Sequence, residues 1–461
     1  MSERPSERRR EPKPLLRTRI GSGRGAMEQP NATGDEDVRL TARFWVAVVL
    51  TGIGAGLAGI VLMTVLYTVQ GLAYGPAAAS PTVDIDAVVA ATSWQRRVIP
   101  LLVGGVIAGV GWYLLRKWTA GQRSEVDDAI WAGDGKLSVP RSTGTSLLSE
   151  IVVGLGASLG REAAPKLMGG VFGSVVSGWT GLDVGQRRLL VACGAGAGVA
   201  AVYNVPLAGA LFTAEVLCGT VRLPVILPAL ATSAIATLVG WIHLPTEATY
   251  PGIPDYSFAL PEVGFALLAG PLVGLTAVGF VRLIAWVSHR RPPGRWALVA
   301  PLGAFAVLAA LGLVWPQLYG NGQAIVRDAF LGIGTIGLFA VLGVLKPLVT
   351  TLCLGSGAAG GLLTPTLATG AALGACLGGL WALLWPGAPV GAYAMLGAAA
   401  MLGAGMQAPL AALALVLELT NSGFAIMVPA AIITFLATAV ARWVDGYSIY
   451  SARLSEVPEP R

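Results

Sequence analysis

The sequence has few charged residues, and this scarcity excludes several classes of protein. Its 461 residues include 31 Lys and Arg and 25 Asp and Glu, so 12% are charged, against about 25% in soluble globular proteins. Residues 1–40 hold 16 of these charges, which leaves the rest of the chain poorer still. The composition excludes an ordinary soluble enzyme and also a largely disordered protein.

Histidine and cysteine are also rare, which argues against catalytic and metal sites. The two histidines are His243 and His289, in short segments between apolar stretches. Residues 156–160 match the G-x-S-x-G pattern of serine hydrolases, but neither histidine is expected near them, so no enzyme is predicted. The cysteines have neither metal-ligand spacing nor a disulfide pattern, so we expect no metal and no cofactor: Cys193, Cys218, Cys353 and Cys376.

Long stretches without any charged residue make up much of the sequence. Such stretches occupy residues 44–83, 98–115, 189–214, 223–246, 263–281, 296–326, 347–417 and 419–441. A transmembrane helix needs roughly 20 apolar residues, so the sequence predicts an all-α polytopic protein of the lipid bilayer. We expect a flexible arm at 1–41 instead of a signal peptide, a membrane domain at 42–454 and a short tail at 455–461.

Arginine and lysine are unevenly distributed among the segments that join the apolar stretches. Three lie in residues 116–123 and three in 288–297, whereas 75–95 and 242–260 contain none. Positively charged loops tend to stay in the cytoplasm, so the first two segments and both termini are predicted to be cytoplasmic. The net charge of +6 is therefore explained by membrane topology, and no nucleic-acid partner is expected.

The two halves of the membrane domain, about 42–242 and 258–452, repeat one pattern. The pattern is a Gly-rich break with a proline, then a Pro-Leu-Ala sequence, then a glutamate nine residues after that second proline: Gly160, Pro165, Pro206 and Glu215, then Gly361, Pro365, Pro409 and Glu418. Paired, interrupted apolar segments are typical of transporters with inverted repeats, whose broken helices meet at a midplane site. We predict the same arrangement in this chain.

A charged pair, Arg161 and Glu162, opens the apolar run after the first break. A charge within a membrane segment is costly and indicates a functional site, although an interfacial ion pair is the alternative. Ala163 and Pro165 predict the first turn of a helix, whose N-terminus offers N–H groups and partial positive charge to an anion. Glu162 would occupy that place itself, so we predict a gate that opens when the carboxylate is protonated or displaced.

These motifs resemble those of the CLC family of chloride channels and chloride/proton exchangers, over about residues 42–454. Gly160-Arg161-Glu162 is similar to the family's gating-glutamate motif, and the segment from Gly194 to Glu215 resembles the adjoining helix pair. Residues 355–365 resemble the filter segment, and Tyr450 resembles the tyrosine whose hydroxyl contacts the central chloride. The likeness is to the prokaryotic type, without C-terminal CBS domains.

The resemblance implies what the protein transports and where. It implies chloride, and other small monovalent anions, as the transported ligand, in a homodimer with one pathway per subunit in the inner membrane of a bacterium. It places the anion against seven residues, six of them at the two breaks: Gly160, Arg161, Ala163, Gly361, Leu362, Leu363 and Tyr450.

Three positions depart from the family pattern. Leu363 stands where the family has a filter phenylalanine, and Pro165 comes one place late. The family's G-S-G-I-P motif is missing, so Ser124 or Gln122 is the candidate for its central serine.

The residue after Glu215 bears on the mechanism. Exchangers of the family have a second acidic residue there that passes protons to the cytoplasm, whereas this chain has Val216. Because valine can neither bind nor release a proton, the sequence favours a passive channel gated by Glu162, with a chloride/proton antiporter as the alternative. Glu215 itself either lies on a proton path or is structural, and a structural role is favoured for Glu418. Lys166 and Lys346 either raise the potential along the anion route or extend to the membrane interface.

Overall fold

The computed structural model describes residues 38–80, 85–122 and 125–454. Most of the predicted arm, the tail and Ser124 lie outside the described residues. Within the described ranges the chain is helical, and its only β-type pairing is an isolated antiparallel bridge between Gly160 and Gly361. The first helix begins at Ala42, where the membrane domain was predicted to start.

The first half of the chain forms helices of very unequal length. They are α1 (Ala42–Tyr74), α2 (Ile85–Ala91), α3 (Trp94–Trp118), α4 (Val126–Trp131), α5 (Val139–Gly154), α6 (Ala163–Trp179), α7 (Val184–Tyr203), α8 (Pro206–Phe212) and α9 (Leu223–Gly240). A π-helical turn, Thr213–Leu217, continues α8. The start of α7 is fixed by a capping box, in which Asp183 accepts from the Gln186 N–H and the Gln186 side chain accepts from the Asp183 N–H.

The second half is also helical. It contains α10 (Leu260–Ser288), α11 (Trp296–Val314), α12 (Gln323–Leu331), α13 (Ile336–Gly355), α14 (Leu363–Leu384), α15 (Val390–Met406), α16 (Pro409–Thr420) and α17 (Met427–Val444), and the chain then turns through the 3₁₀ segment Ser451–Arg453. Among the described residues, eight helices are long and apolar enough to cross a membrane.

The predicted repeat is confirmed, because equivalent elements of the two halves share unusual local geometry. Asn204 ends α7 and Gln407 ends α15, and both adopt the left-handed conformation at φ 57°, which is uncommon for residues other than glycine. In each half a proline two residues later begins the next short helix. The protein is therefore an all-α membrane protein of two inverted halves.

Each half has a central helix pair that packs at backbone contact distance. A Cβ on Gly169 of α6 would overlap the Gly194 carbonyl of α7, and a Cβ on Gly370 of α14 would overlap the Gly397 carbonyl of α15. Such contacts between small residues are typical of helix packing in membranes. They hold α6 and α14 deep in the protein, where their N-termini can meet.

Candidate functional site

The two breaks in the chain meet at one point. The Gly160 N–H donates to the Gly361 carbonyl and the Gly361 N–H donates to the Gly160 carbonyl, each at 2.7 Å. This pair of bonds brings the N-terminus of α6 against that of α14. A Cβ on either glycine would collide with the Glu162 carboxylate, so the absence of a side chain makes room for that group.

Glu162 lies at this meeting point and is 3% exposed. It is the N-cap residue of α6, yet its side chain makes no capping bond to its own helix. Instead Oε1 accepts from the Leu363 N–H at 2.7 Å, at the first residue of α14. The carboxylate thus occupies a helix N-terminus, as the sequence predicts, but the helix belongs to the other half of the molecule.

Two partners of Glu162 escaped the sequence analysis. The Tyr203 hydroxyl lies 3.1 Å from Oε2 and the Thr364 hydroxyl lies 3.3 Å from the same oxygen. The two hydroxyls also bond to each other at 2.7 Å. Thr364 lies inside the filter-like segment, and Tyr203 directly precedes Asn204. Their positions within these two motifs are the only features of the sequence that indicate a role at the site.

Some of the backbone N–H groups that are predicted to bind the anion already donate hydrogen bonds within the protein. The N–H groups of Gly160 and Gly361 each donate to the carbonyl group of the other glycine, and the Leu363 N–H donates to Glu162. Ala163 and Leu362 line a cavity on one side of the carboxylate. The two glycines therefore supply space in this conformation, and the N–H of Leu363 is the donor for which an anion would compete with Glu162.

The cavity that Ala163 and Leu362 line is here called the inner cavity. Its polar lining includes Glu125, Asp127, Ser146, Glu162, Lys166 and Tyr450. Tyr450 belongs to the segment after α17, which is held by a bond from the Ile449 N–H to the Gly405 carbonyl at 2.8 Å. The tyrosine ring packs edge-on against Phe212 with centroids 5.7 Å apart.

Lys166 does not extend to the membrane interface, and that alternative is wrong. Its ammonium group donates to both oxygens of Asp127, at 3.0 and 2.8 Å, and lies 4.2 Å from the Tyr450 ring centroid. Both members of the pair are 8% exposed. A buried ion pair therefore lies in the wall of the inner cavity, beside the tyrosine predicted to contact the anion.

Lys346 is also buried and does not reach the interface. Its ammonium group donates to the Ser158 hydroxyl at 2.8 Å and to the carbonyl groups of Leu318 and Gly320 at 3.3 and 2.8 Å. These bonds join α13 to two loops. The positive charge is thus compensated locally by oxygen acceptors.

Arg161 faces a different space from its neighbour Glu162. It lines a second cavity, here called the outer cavity, with Tyr67, Tyr203 and Tyr250. Its guanidinium donates to the Tyr67 hydroxyl at 2.9 Å and lies 4.9 Å from the Tyr203 ring centroid. Glu162 and its hydroxyl partners thus stand between the inner and outer cavities.

Glu215 and Glu418 form matching hydrogen bonds across the interface between the two halves. Glu215 accepts from the N–H groups of Leu410 and Ala411, at 3.3 and 2.6 Å. Glu418 accepts from those of Leu207 and Ala208, at 3.0 and 2.7 Å. Each carboxylate therefore caps a helix of the opposite half, while Val216 is fully buried in the π-helical turn.

Glu150 is a further buried carboxyl group that the sequence analysis missed. It lies on α5 and is 0% exposed, and neither of its side-chain oxygens has a hydrogen-bond partner in the described part of the chain. The signal was a lone glutamate in an otherwise uncharged stretch, between Ser149 and Ile151.

Two inverted halves whose broken helices meet around one carboxylate between two cavities define an ion-transport protein of the membrane. The family described as "Voltage gated chloride channel" matches residues 104–442. The chain belongs to this CLC family, whose members are chloride transporters and channels and not enzymes.

Several relatives are similar over most of their length. The "Voltage-gated ClC-type chloride channel ClcB" of Yersinia pseudotuberculosis is 33% identical over 380 residues, which cover 79% of this chain and 89% of the relative. The "H(+)/Cl(-) exchange transporter ClcA" of Vibrio campbellii is 30% identical over 389 residues, covering 79% and 82%. A "slow cyanobacterial Cl-/H+ antiporter" has the same fold, with a TM-score of 0.77 at 23% identity over 90% of this chain and 97% of that chain.

Proposed function

We propose that the chain exchanges chloride for protons across the membrane, with Glu162 as the group that both gates the anion and carries the proton. Similar relatives include proteins named as exchange transporters, in Vibrio campbellii and in Vibrio parahaemolyticus at 33% identity over 66% of this chain. A passive chloride channel is the second candidate, which Val216 and the relatives named as channels favour. We prefer the exchanger to the channel because the Glu162 carboxylate accepts from the Leu363 N–H, at which a chloride ion would bind.

The position of the Glu162 carboxylate carries this proposal. It holds the Leu363 N–H, where a chloride ion would bind, and it stands between the inner and outer cavities. An anion can pass only if the carboxylate leaves. A carboxylate gives up hydrogen-bond donors most readily when it takes up a proton, because its acceptor strength falls with its charge. Anion passage and proton uptake are thereby linked at one group.

The route of the anion follows from the two cavities. We propose entry from the inner cavity past Lys166, Tyr450 and Leu362, occupation of the Leu363 N–H, and exit past Arg161. Weak binding at successive positions suits transport, because the ion must leave as readily as it enters. The inner cavity is assigned to the cytoplasm from the positive loops, together with both termini, and the working unit is proposed to be a homodimer in the bacterial inner membrane.

The test is the reversal potential of the purified protein in a planar bilayer under opposing chloride and proton gradients. We expect the wild-type reversal potential to shift when only the pH gradient is changed. Glu162→Gln should still pass chloride but reverse at the chloride equilibrium potential, because the amide cannot carry a proton. A wild-type value that stays at the chloride equilibrium potential at every pH would establish the channel instead.

Glu262→Gln is the matched control. Glu262 is a fully buried carboxyl group on α10 that bonds to the Ala259 N–H at 3.3 Å and lines neither the inner nor the outer cavity. Its substitution should leave both chloride flux and the pH-dependent shift unchanged. Loss of the shift in this variant would mean that coupling responds to any buried charge change.

A further inference from the structure

The outer cavity is lined by buried hydrogen-bond donors that do not contact the gate. Besides Arg161, its lining includes Asn321 and Tyr250. We infer that these three side chains form a second anion site, which a chloride ion occupies while Glu162 still accepts from the Leu363 N–H. The inference rests on the proposed route of the anion, and it holds for an exchanger and for a channel alike.

The charge of Arg161 is buried beside this cavity without an ion-pair partner. The residue is 6% exposed, and its guanidinium donates to the Tyr67 hydroxyl at 2.9 Å and lies over the Tyr203 ring. Both of these partners are neutral. Among the described residues Arg161 forms no ion pair, and its Nε has no hydrogen-bond partner. Because a buried charge is costly unless it is paired, an anion in the cavity would stabilise this arrangement.

Asn321 and Tyr250 supply further donors to the same cavity. Asn321 is 6% exposed and Tyr250 is 2% exposed. In the described part of the chain, neither the Asn321 Nδ2 nor the Tyr250 hydroxyl has a hydrogen-bond partner. The Asn321 Oδ1 accepts from the Gln323 N–H at 3.2 Å, which leaves the N–H groups of the amide for a ligand. Amide, hydroxyl and guanidinium groups can all donate to one anion, and leaving such buried donors without an acceptor costs free energy.

The charges around the outer cavity favour an anion over a cation. Its lining includes two basic side chains, Arg161 and Arg327, and one acidic side chain, Glu247, which is exposed. Behind the lining, the fully buried Lys346 ammonium group donates to the Gly320 carbonyl at 2.8 Å. This carbonyl group of the lining therefore already accepts a hydrogen bond, and the lysine adds a further positive charge.

The size and the position of the outer cavity suit a hydrated anion that comes from outside the cell. Its volume is about 110 Å³, whereas about 10–15 Å³ is sufficient for one water molecule, so a chloride ion fits together with part of its hydration shell. The lining includes Ser80, Ile85, Leu244 and Pro251, which belong to the two segments without Lys or Arg that are predicted to lie outside. The second site should therefore exchange chloride with the external solution while the gate is closed.

The experiment measures halide binding directly. Wild-type crystals soaked in bromide should show an anomalous density peak in the outer cavity while the Glu162 carboxylate remains at the Leu363 N–H. Calorimetric titration with chloride then compares wild type with two variants. We expect Tyr250→Phe to weaken binding at the second site about tenfold, because a hydrogen bond to a charged acceptor is lost. Asn321→Asp should remove one bound chloride ion and the bromide peak, because the new carboxylate takes the place of the anion beside Arg161.

Tyr393→Phe is the matched control for Tyr250→Phe. The Tyr393 hydroxyl is also buried and has no partner in the described part of the chain, but Tyr393 lines neither cavity. This variant should bind chloride as wild type does. Equal weakening in both tyrosine variants would overturn the second site, because the effect would not be specific to the outer cavity.

The bromide experiment on wild type needs no variant, so it decides the question even where a variant does not fold. No bromide peak in the outer cavity would overturn the second site and leave transport through Glu162 intact. Absence of chloride transport in wild-type vesicles would overturn the proposed function instead. The two failures are distinguishable because one is measured as binding and the other as flux.

Discussion

At the scale of single residues, the ion pair in the wall of the inner cavity is the feature with the clearest consequence for anion binding. The Lys166 ammonium group has three N–H donors, and Asp127 accepts two of them. The same ammonium lies against the Tyr450 ring. An anion beside Tyr450 therefore meets a positive charge that Asp127 partly compensates, and the two members of the pair act on it in opposite directions.

We predict that substitutions in this pair change chloride affinity with opposite signs. Lys166→Gln should weaken chloride binding severalfold, because only the negative member remains. Asp127→Asn should strengthen it, because the ammonium keeps its charge and loses its competitor. Calorimetric titration of the purified protein with chloride measures both. Weaker binding in both variants would indicate that the pair has only a structural role.

The stability of the Lys166 and Asp127 variants tests the ion pair independently of chloride binding. Removing one partner of a buried ion pair costs about 3–5 kcal/mol because the other charge is left uncompensated. The double variant Lys166→Gln/Asp127→Asn should therefore be more stable than either single variant. Arg282→Gln is the matched substitution elsewhere, since the Arg282–Asp445 pair at 2.8 Å is largely exposed on its arginine side. That change should leave chloride affinity unaltered.

At the scale of secondary-structure elements, the N-termini of two short helices are capped by glutamates of the opposite half. The seven-residue α8 and the twelve-residue α16 each begin at a proline with N–H groups that no residue of the same helix can satisfy. Glu418 and Glu215 supply the acceptors across the interface. The breaks at the prolines are thus stable because the two halves cap each other.

We predict that the capping bonds of Glu215 and Glu418 contribute to stability and not to transport. Glu418→Gln should lower the free energy of unfolding by about 1.5–3 kcal/mol, the value of a hydrogen bond to a charged group, and Glu215→Gln should do the same. Thermal unfolding in detergent measures the effect, and chloride flux should stay near wild type. Glu247→Gln, at an exposed residue of the loop after α9, is the control. Loss of proton coupling in Glu215→Gln would instead support a proton path through that residue.

At the scale of the whole molecule, the positive loops predict which end of each helix faces the cytoplasm. Exposed His243 lies in the loop between α9 and α10, and exposed Pro293 lies in the loop between α10 and α11. The 29 residues of α10 are long enough to separate the two loops by a whole bilayer. The two loops should therefore lie on opposite sides of the membrane.

We predict that His243→Cys reacts with a membrane-impermeant maleimide in intact cells and that Pro293→Cys reacts only after permeabilisation. The unsubstituted chain is the control, because Cys193, Cys218 and Cys353 are buried and Cys376 is half-buried. Labelling in the reverse order would invert the assigned orientation and would place the inner cavity outside the cell. Labelling of both positions in intact cells would contradict the predicted span.

The membrane class, the two halves and the glutamate proposed as the gate can all be read from the order of residues. Hydrophobic stretches, glycine and proline breaks and the Gly160-Arg161-Glu162 motif are local, so neighbouring residues are sufficient to recognise them. The repeat could also be read directly, because its prolines and glutamates recur at matching distances. These features depend on composition and spacing, which folding does not alter.

The hydrogen-bond partner of each buried polar group is visible only in the folded protein. Glu162 accepts from Leu363, 201 residues away, and from Tyr203, 41 residues away, and Lys166 pairs with Asp127 instead of reaching the interface. Glu150 became notable only because its oxygens lack partners in the described part of the chain. Hydrogen bonding and burial arise from segments that are distant in sequence and adjacent in space, so residue spacing alone could not predict them.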